Sequence, residues 1–207
     1  MRMFVLGATG KTGGVLVVEA LARGHEVTTF GRSAFTSAVN ANLRNIRGDP
    51  LQTEEMSAAL AGQEAVLSVL GTRGLGATLL LEQSSRATIA AMREAGTRRL
   101  IIVSSALLDT NVGVVSRVAE RTLLRHHARD QRAMEKLVTT SGLDWTVLRP
   151  PRMSDSAPPG SVAKASAEPE DATGMVITKG EVARVMLDIA ESGKYVQEIV
   201  HLRGVGR

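Results

Sequence analysis

The feature that most constrains this chain is a glycine triplet near its N-terminus. Gly7-Ala8-Thr9-Gly10-Lys11-Thr12-Gly13 follows the short apolar run Met3–Leu6 and opens the helical pattern Gly13–Arg23. The spacing is G-x-x-G-x-x-G. Glycine suits a tight turn, a close backbone approach to a pyrophosphate, and close packing of helix on strand. The helix that follows offers free N–H groups and a partial positive charge to phosphate. A glycine triplet alone is weak, but between a strand and a helix of one βαβ unit it predicts a dinucleotide cradle.

The rest of the chain repeats the same alternation. Apolar runs at Glu26–Phe30, Asn42–Arg47, Ala65–Leu70, Leu100–Val103 and Trp145–Leu148 read as further strands. Helical patterns cover Gly13–Arg23, Glu54–Ala61 with Thr53 as N-cap, Leu79–Ala95 and Ser116–Thr140. In the first helix Val15, Leu16, Val18, Leu21 and Ala22 are assigned to the core. Strands joined by helices at this spacing run parallel through right-handed crossovers. The expected fold is α/β, a doubly wound parallel sheet of order 3-2-1-4-5-6. Residues 1–207 are read as a single domain. Five of the six prolines lie between Pro150 and Pro169. Residues 150–178 are therefore read as an irregular segment on the substrate side, with at most a short strand at Ser161–Ala165. Thr178 with Glu181 reads as a capping box for a helix through Glu191 that stops at Gly193. Gln197–Leu202 makes a last strand.

Composition removes several alternatives. The chain has no cysteine, so thiolate metal sites, iron–sulfur clusters and cysteine nucleophiles are excluded. Its aromatic residues are Phe4, Phe30, Phe35, Trp145 and Tyr195, too few for a base-stacking surface. Arg117, Arg121, Arg125 and Arg129 recur at helical spacing and read as a solvated face, so nucleic acid is not an expected partner. The first apolar run is too short for a signal peptide or a membrane span. A cytoplasmic, membrane-free protein is expected, as monomer or homodimer, acting on a small molecule. No G-x-S-x-G occurs, and the adjacent His126 and His127 are not read as a metal site.

The end of the second strand bears on cofactor choice. Phe30-Gly31-Arg32-Ser33 places no carboxylate where an NAD-specific site would bind the ribose 2′-hydroxyl. Arg32 instead suits a 2′-phosphate, which points to NADP(H). Were Arg32 only a solvated loop residue, NAD(H) would serve as well. Asp49 sits where it could meet the adenine edge. Leu70-Gly71-Thr72-Arg73 follows the fourth strand, at the switch point of the sheet, where a ligand should lie. Arg73 is either a phosphate or substrate contact or a solvated charge.

With GATGKTG at Gly7–Gly13 stand GDP at Gly48–Pro50, GTR at Gly71–Arg73, SSAL at Ser104–Leu107, SGLDWTVLRPP at Ser141–Pro151 and ITKGEVA at Ile177–Ala183. On these motifs the chain resembles the atypical short-chain dehydrogenase/reductases with an NAD(P)H-binding, NmrA-like Rossmann fold. Within them it is most similar to the flavin reductase/biliverdin-IXβ reductase branch. The resemblance implies cofactor contacts at Gly7, Thr9, Gly10, Lys11, Thr12, Gly13, Arg32, Asp49, Leu70, Gly71, Thr72, Arg73 and Ser104. Pro150, Pro151 and Met153 would flank the nicotinamide. Ser105 would be the active-site serine. Gln131 and Arg152 stand where the branch carries histidine, and Thr36 stands near the place of a second phosphate-binding arginine. The implied activity is NADPH-dependent hydride transfer to a flavin, quinone or linear tetrapyrrole, with flavin as substrate and not as a tightly held cofactor. Ordinary short-chain dehydrogenases use a tyrosine and a lysine four residues later. Here the only tyrosine is Tyr195, and Ile199 follows at that spacing. Positioning without an obligatory proton donor is therefore expected. The alternative is a non-catalytic NAD(P)-sensing regulator of the same fold.

Overall fold

The computed structural model describes residues 1–36, 40–71, 78–108, 125–156, 162–168 and 175–205. The described strands are β1 (Arg2–Leu6), β2 (Glu26–Gly31), β3 (Leu43–Arg47), β4 (Ala65–Ser68), β5 (Arg99–Val103), β6 (Asp144–Arg149), β7 (Arg152–Ser154), β8 (Val162–Ser166), β9 (Val176–Thr178) and β10 (Glu198–Val205). The described helices are α1 (Lys11–Ala22), α2 (Thr53–Leu60), α3 (Leu80–Ala95), α4 (Arg125–Thr139) and α5 (Lys179–Ser192). The main sheet runs β3-β2-β1-β4-β5-β6-β10-β8. All its pairs are parallel except β10 with β8. The expected 3-2-1-4-5-6 order is present and extends by two strands.

The central strands are buried on both faces, and their alternation assigns each side chain to one of two cores. From β1, Met3 and Val5 join a core with Leu16, Val17 and Ala20 of α1 and Val182 and Met186 of α5. Phe4 and Leu6 point the other way, to Met56 and Leu60 of α2, Met92 of α3 and Met134 and Val138 of α4. β5 divides likewise, Ile101 to the first core and Leu100 and Ile102 to the second. Helices therefore cover both faces, leaving a ligand only the carboxyl ends of the strands.

Helix ends follow local chemistry. Gly96 (φ +75°) and Gly193 (φ +65°) turn the chain left-handed after α3 and α5, a conformation glycine adopts without strain. The capping box of α5 is formed: Glu181 N–H donates to Thr178 Oγ1 at 3.0 Å, and Thr178 N–H donates to Glu181 Oε2 at 2.7 Å. Thr53, expected as an N-cap, is instead the first residue of α2. Gln52 is the cap residue and makes no side-chain bond.

Two further differences concern packing. Val15 and Val18, assigned to the core, are 41% and 53% exposed, and Ala22 is exposed too. The buried stripe is Gly13, Leu16, Val17 and Ala20. Gly13 sets that phase, because a Cβ there would lie 2.1 Å from the Gly7 carbonyl oxygen. The described part of residues 150–178 also carries more regular structure than its prolines predict. β7 and β9 pair with each other, while β8, at the place of the expected strand Ser161–Ala165, adds an antiparallel edge to β10. All three strands are free of proline, which falls outside them.

Candidate functional site

The carboxyl ends of β1, β2, β4 and β5 open into one cleft of about 1100 Å³. Its floor is the glycine loop. Gly7 has φ +84°, and a Cβ there would lie 2.7 Å from the Val69 carbonyl oxygen. Gly10 is the N-cap of α1, and no side chain caps that helix end. The first amides of α1 thus meet the cleft beside Thr9, Lys11 and Thr12, which line it. This arrangement suits a pyrophosphate. Gly13 lies beneath, in the helix–strand contact, and does not line the cleft. The cradle fits a dinucleotide on backbone geometry alone.

Arg32 is exposed and lines the cleft after β2. Its loop is docked, since Asn45 Oδ1 of β3 accepts from Thr29 Oγ1 at 2.6 Å and from the Phe35 amide at 3.1 Å. The Phe35 ring packs on α1, 3.5 Å from a Cβ built at Gly14. Asp49 also lines the cleft, while its Oδ1 closes a turn by accepting from the Leu51 amide at 3.0 Å. Leu70 and Gly71 line the switch-point wall. Thr72, Arg73, Arg117 and Arg121 lie outside the described residues. Arg125 and Arg129 are exposed.

At the end of β5 the two serines separate. Ser104 lines the cleft, is 5% exposed, and its hydroxyl has no protein partner. Ser105, expected as the active-site serine, is outside the lining. Its Oγ accepts from the Leu107 amide at 3.2 Å and closes the turn into the short 3₁₀ segment Ala106–Leu108. Pro150 and Pro151 are buried behind the wall, where the Pro150 carbonyl accepts from the Ala106 amide at 2.9 Å. Met153 reaches the cleft; Arg152, in β7, is exposed and does not line it. Asp155, just beyond β7, binds Lys11 Nζ at 3.1 Å and Lys179 Nζ at 2.5 Å. The hydrogen bonds from Lys179 and Lys11 hold its carboxyl below the usual range. This strand is thereby tied to the phosphate loop.

Helix α4 supplies the far wall. His127, Gln131 and Glu135 recur at i, i+4 and i+8, and so share one face. Gln131 and His127 line the cleft. Glu135 grips Arg149 of β6 with bonds of 3.0 and 2.6 Å. Asp130, 1% exposed, accepts from the Leu81 and Glu82 amides at 3.1 and 2.9 Å, and so caps α3 from across the interface. Two buried carboxylates thus lock the helix that presents His127 and Gln131.

His127 is the site residue that sequence reasoning missed. Its position one turn before Gln131 was the available signal. Burial pushes its imidazole below the ordinary 6.5, partly countered by Asp130. A neutral native imidazole has a definite consequence for stability. Below about pH 6.5 the unfolded chain takes up a proton that the folded His127 resists, so stability falls as pH drops until the folded imidazole titrates. His127→Gln should flatten that segment of a urea-midpoint-versus-pH curve. Against partial desolvation, hydrogen bonds from His25 and Arg23 hold the exposed Glu191 carboxyl low, and its loss belongs to more acidic solution. An unchanged curve between pH 5 and about 6.5 would contradict this assignment.

Parallel strand order, glycine cradle and switch-point cleft together define a nucleotide-binding Rossmann fold. The profile of the NAD(P)H-binding family matches residues 7–192, and the chain belongs to that family. A sugar epimerase of Bacillus subtilis, itself uncharacterized, is 27% identical over 201 residues, covering 90% of this chain and 86% of its own. Among solved structures, a putative NADH-flavin reductase of Streptococcus pneumoniae superposes with a TM-score of 0.79 at 24% identity, covering 99% of this chain and 100% of the other. An anaerobilin reductase of Escherichia coli O157:H7 gives 0.79 at 21% identity, covering 98% and 97%.

Proposed function

We propose that the protein is an NADPH-dependent reductase that passes hydride to a flavin or a similarly flat acceptor. The observation that carries this reading is the cleft's composition beyond the phosphate cradle. Val103, Leu70 and Met153 supply apolar lining, and Ser104, Gln131 and His127 polar lining. No tyrosine lines it. The Tyr195 hydroxyl instead meets the Ala165 carbonyl of β8 at 3.4 Å. Alcohol–ketone chemistry therefore lacks its usual proton donor, whereas a flavin needs mainly ring-on-ring placement. A reduced nicotinamide held there supplies the hydride. Gly10 and the α1 amides would hold its pyrophosphate, and Arg32 the 2′-phosphate. The His127 imidazole would lie on the acceptor's polar side. The putative NADH-flavin reductase and the anaerobilin reductase of the same fold support this acceptor class.

The test is steady-state NADPH oxidation with riboflavin, FMN or menadione. Turnover supports the reductase. Tight NADPH binding with no oxidation by any of the three would favour a dinucleotide sensor. The cofactor preference has its own test: Arg32→Ala should weaken NADPH by about 1–3 kcal/mol, the scale of a charge-assisted hydrogen bond, and leave NADH nearly unchanged. Equal wild-type affinities for NADPH and NADH would contradict the role given to Arg32.

A further inference from the structure

Two lysines distant in sequence converge on one carboxylate beside the glycine loop. Lys11 Nζ donates to Asp155 Oδ2 at 3.1 Å, and Lys179 Nζ donates to Asp155 Oδ1 at 2.5 Å. The two lysines differ in setting. The Lys179 side chain is 17% exposed and opens α5, where the helix dipole opposes a cation. Asp155 supplies the negative charge that this position needs. The Lys11 side chain is 76% exposed, opens α1 and lines the cleft. Its flexible four-carbon stem lets the ammonium turn from the carboxylate to a phosphate seated on the α1 amides. Asp155 thus has one fixed partner and one exchangeable partner.

We propose that Asp155 sets cofactor affinity by competing with the dinucleotide pyrophosphate for the Lys11 ammonium. Binding exchanges one anion for the other on Lys11, while Lys179 keeps the released carboxylate in place. An exposed ion pair contributes little, so the exchange lowers affinity by a small factor and does not block binding. The penalty falls on NADPH and NADP⁺ alike, because both carry the same pyrophosphate. The proposal rests on the dinucleotide cradle and is independent of which acceptor is reduced.

The experiment is calorimetric titration of the full-length protein with NADP⁺ and with 2′-AMP, at about 0.15 M salt, where distant charges are screened. 2′-AMP keeps the adenosine and its 2′-phosphate but has no pyrophosphate. Asp155→Asn removes the charge and keeps the shape. It should bind NADP⁺ about threefold to fivefold more tightly, the scale of one surface ion pair, and bind 2′-AMP as wild type does. The same substitution made in Lys11→Gln protein should change NADP⁺ affinity by less than about 1.5-fold. Lys179→Gln should shift the other way and weaken NADP⁺ about threefold, since Asp155 then has Lys11 as its lysine partner alone. Damage to the fold would weaken binding in both single variants, so the opposite signs separate competition from misfolding. Unchanged or weaker NADP⁺ binding by folded Asp155→Asn overturns the proposal. Tightening that persists without Lys11, or that extends to 2′-AMP, overturns it too, because the carboxylate then acts by general repulsion. Should Asp155→Asn fail to fold, Lys179→Gln decides: weaker NADP⁺ binding supports the competition, and unchanged or tighter binding overturns it.

Discussion

Glu135→Ala is expected to destabilise the fold by about 3 kcal/mol, the lower end of the cost of breaking a buried ion pair. The side chains of Arg149 and Glu135 are only 16% and 9% exposed, and their bidentate contact joins the end of β6 to α4. Arg149 keeps a further interaction, which places the loss at the lower end and not above it. Because Gln131 and His127 lie on the same helical face, the effect should reach the cleft. Acceptor KM should rise more than cofactor affinity falls, since the phosphate cradle belongs to α1. Urea unfolding and steady-state kinetics on Glu135→Ala check both parts. A loss below about 1 kcal/mol would place this pair with solvent-screened surface bridges.

The two cradle glycines should fail in opposite ways. At Gly13 a Cβ would meet Gly7 O, Gly7 C and Ala8 Cα at 2.1, 2.7 and 2.8 Å. All three are backbone atoms, so Gly13→Val should prevent α1 from seating on β1 and leave little folded protein. At Gly10 a Cβ meets only Gly7 O, at 3.2 Å, and the residue faces the cleft. Gly10→Val should keep a native circular dichroism spectrum and lose dinucleotide affinity by about 100-fold or more, through blocked pyrophosphate approach. Native folding by Gly13→Val, or normal NADPH binding by Gly10→Val, would contradict the division of labour.

The sheet was legible because its signals are local. Ala65–Leu67 is apolar throughout, as a strand covered on both faces should be, and the Thr178–Glu181 box announces α5 within four residues. The phase of α1 was not legible from periodicity. Val15 and Val18 are as apolar as Leu16 and Val17, and only the Gly13 contact with β1 decides which pair is buried. The site shows the same division. Gly7, Gly10, Arg32 and Asp49, read from the motif spacing, line the cleft, as does Gln131, which the family resemblance named. Ser104 and Ser105 are identical in sequence terms, and a turn hydrogen bond to Leu107 draws the second away. His127 reaches the cleft because Asp130 and Glu135 fix the roll of α4 through partners distant in sequence. Long-range contacts decide these positions, and a local pattern does not contain them.

Anaerobic single-turnover mixing is the most direct measurement of the central claim. Protein saturated with NADPH is combined with riboflavin, and flavin reduction is followed in real time, then repeated with NADPH deuterated at the transferring position of C4. The account predicts flavin reduction with one equivalent of cofactor oxidised, slowed by deuteration, and little affected by Ser105→Ala because Ser105 lies outside the cleft lining. A cofactor that binds in the cradle while riboflavin stays oxidised, with other flat acceptors equally inert, would contradict it.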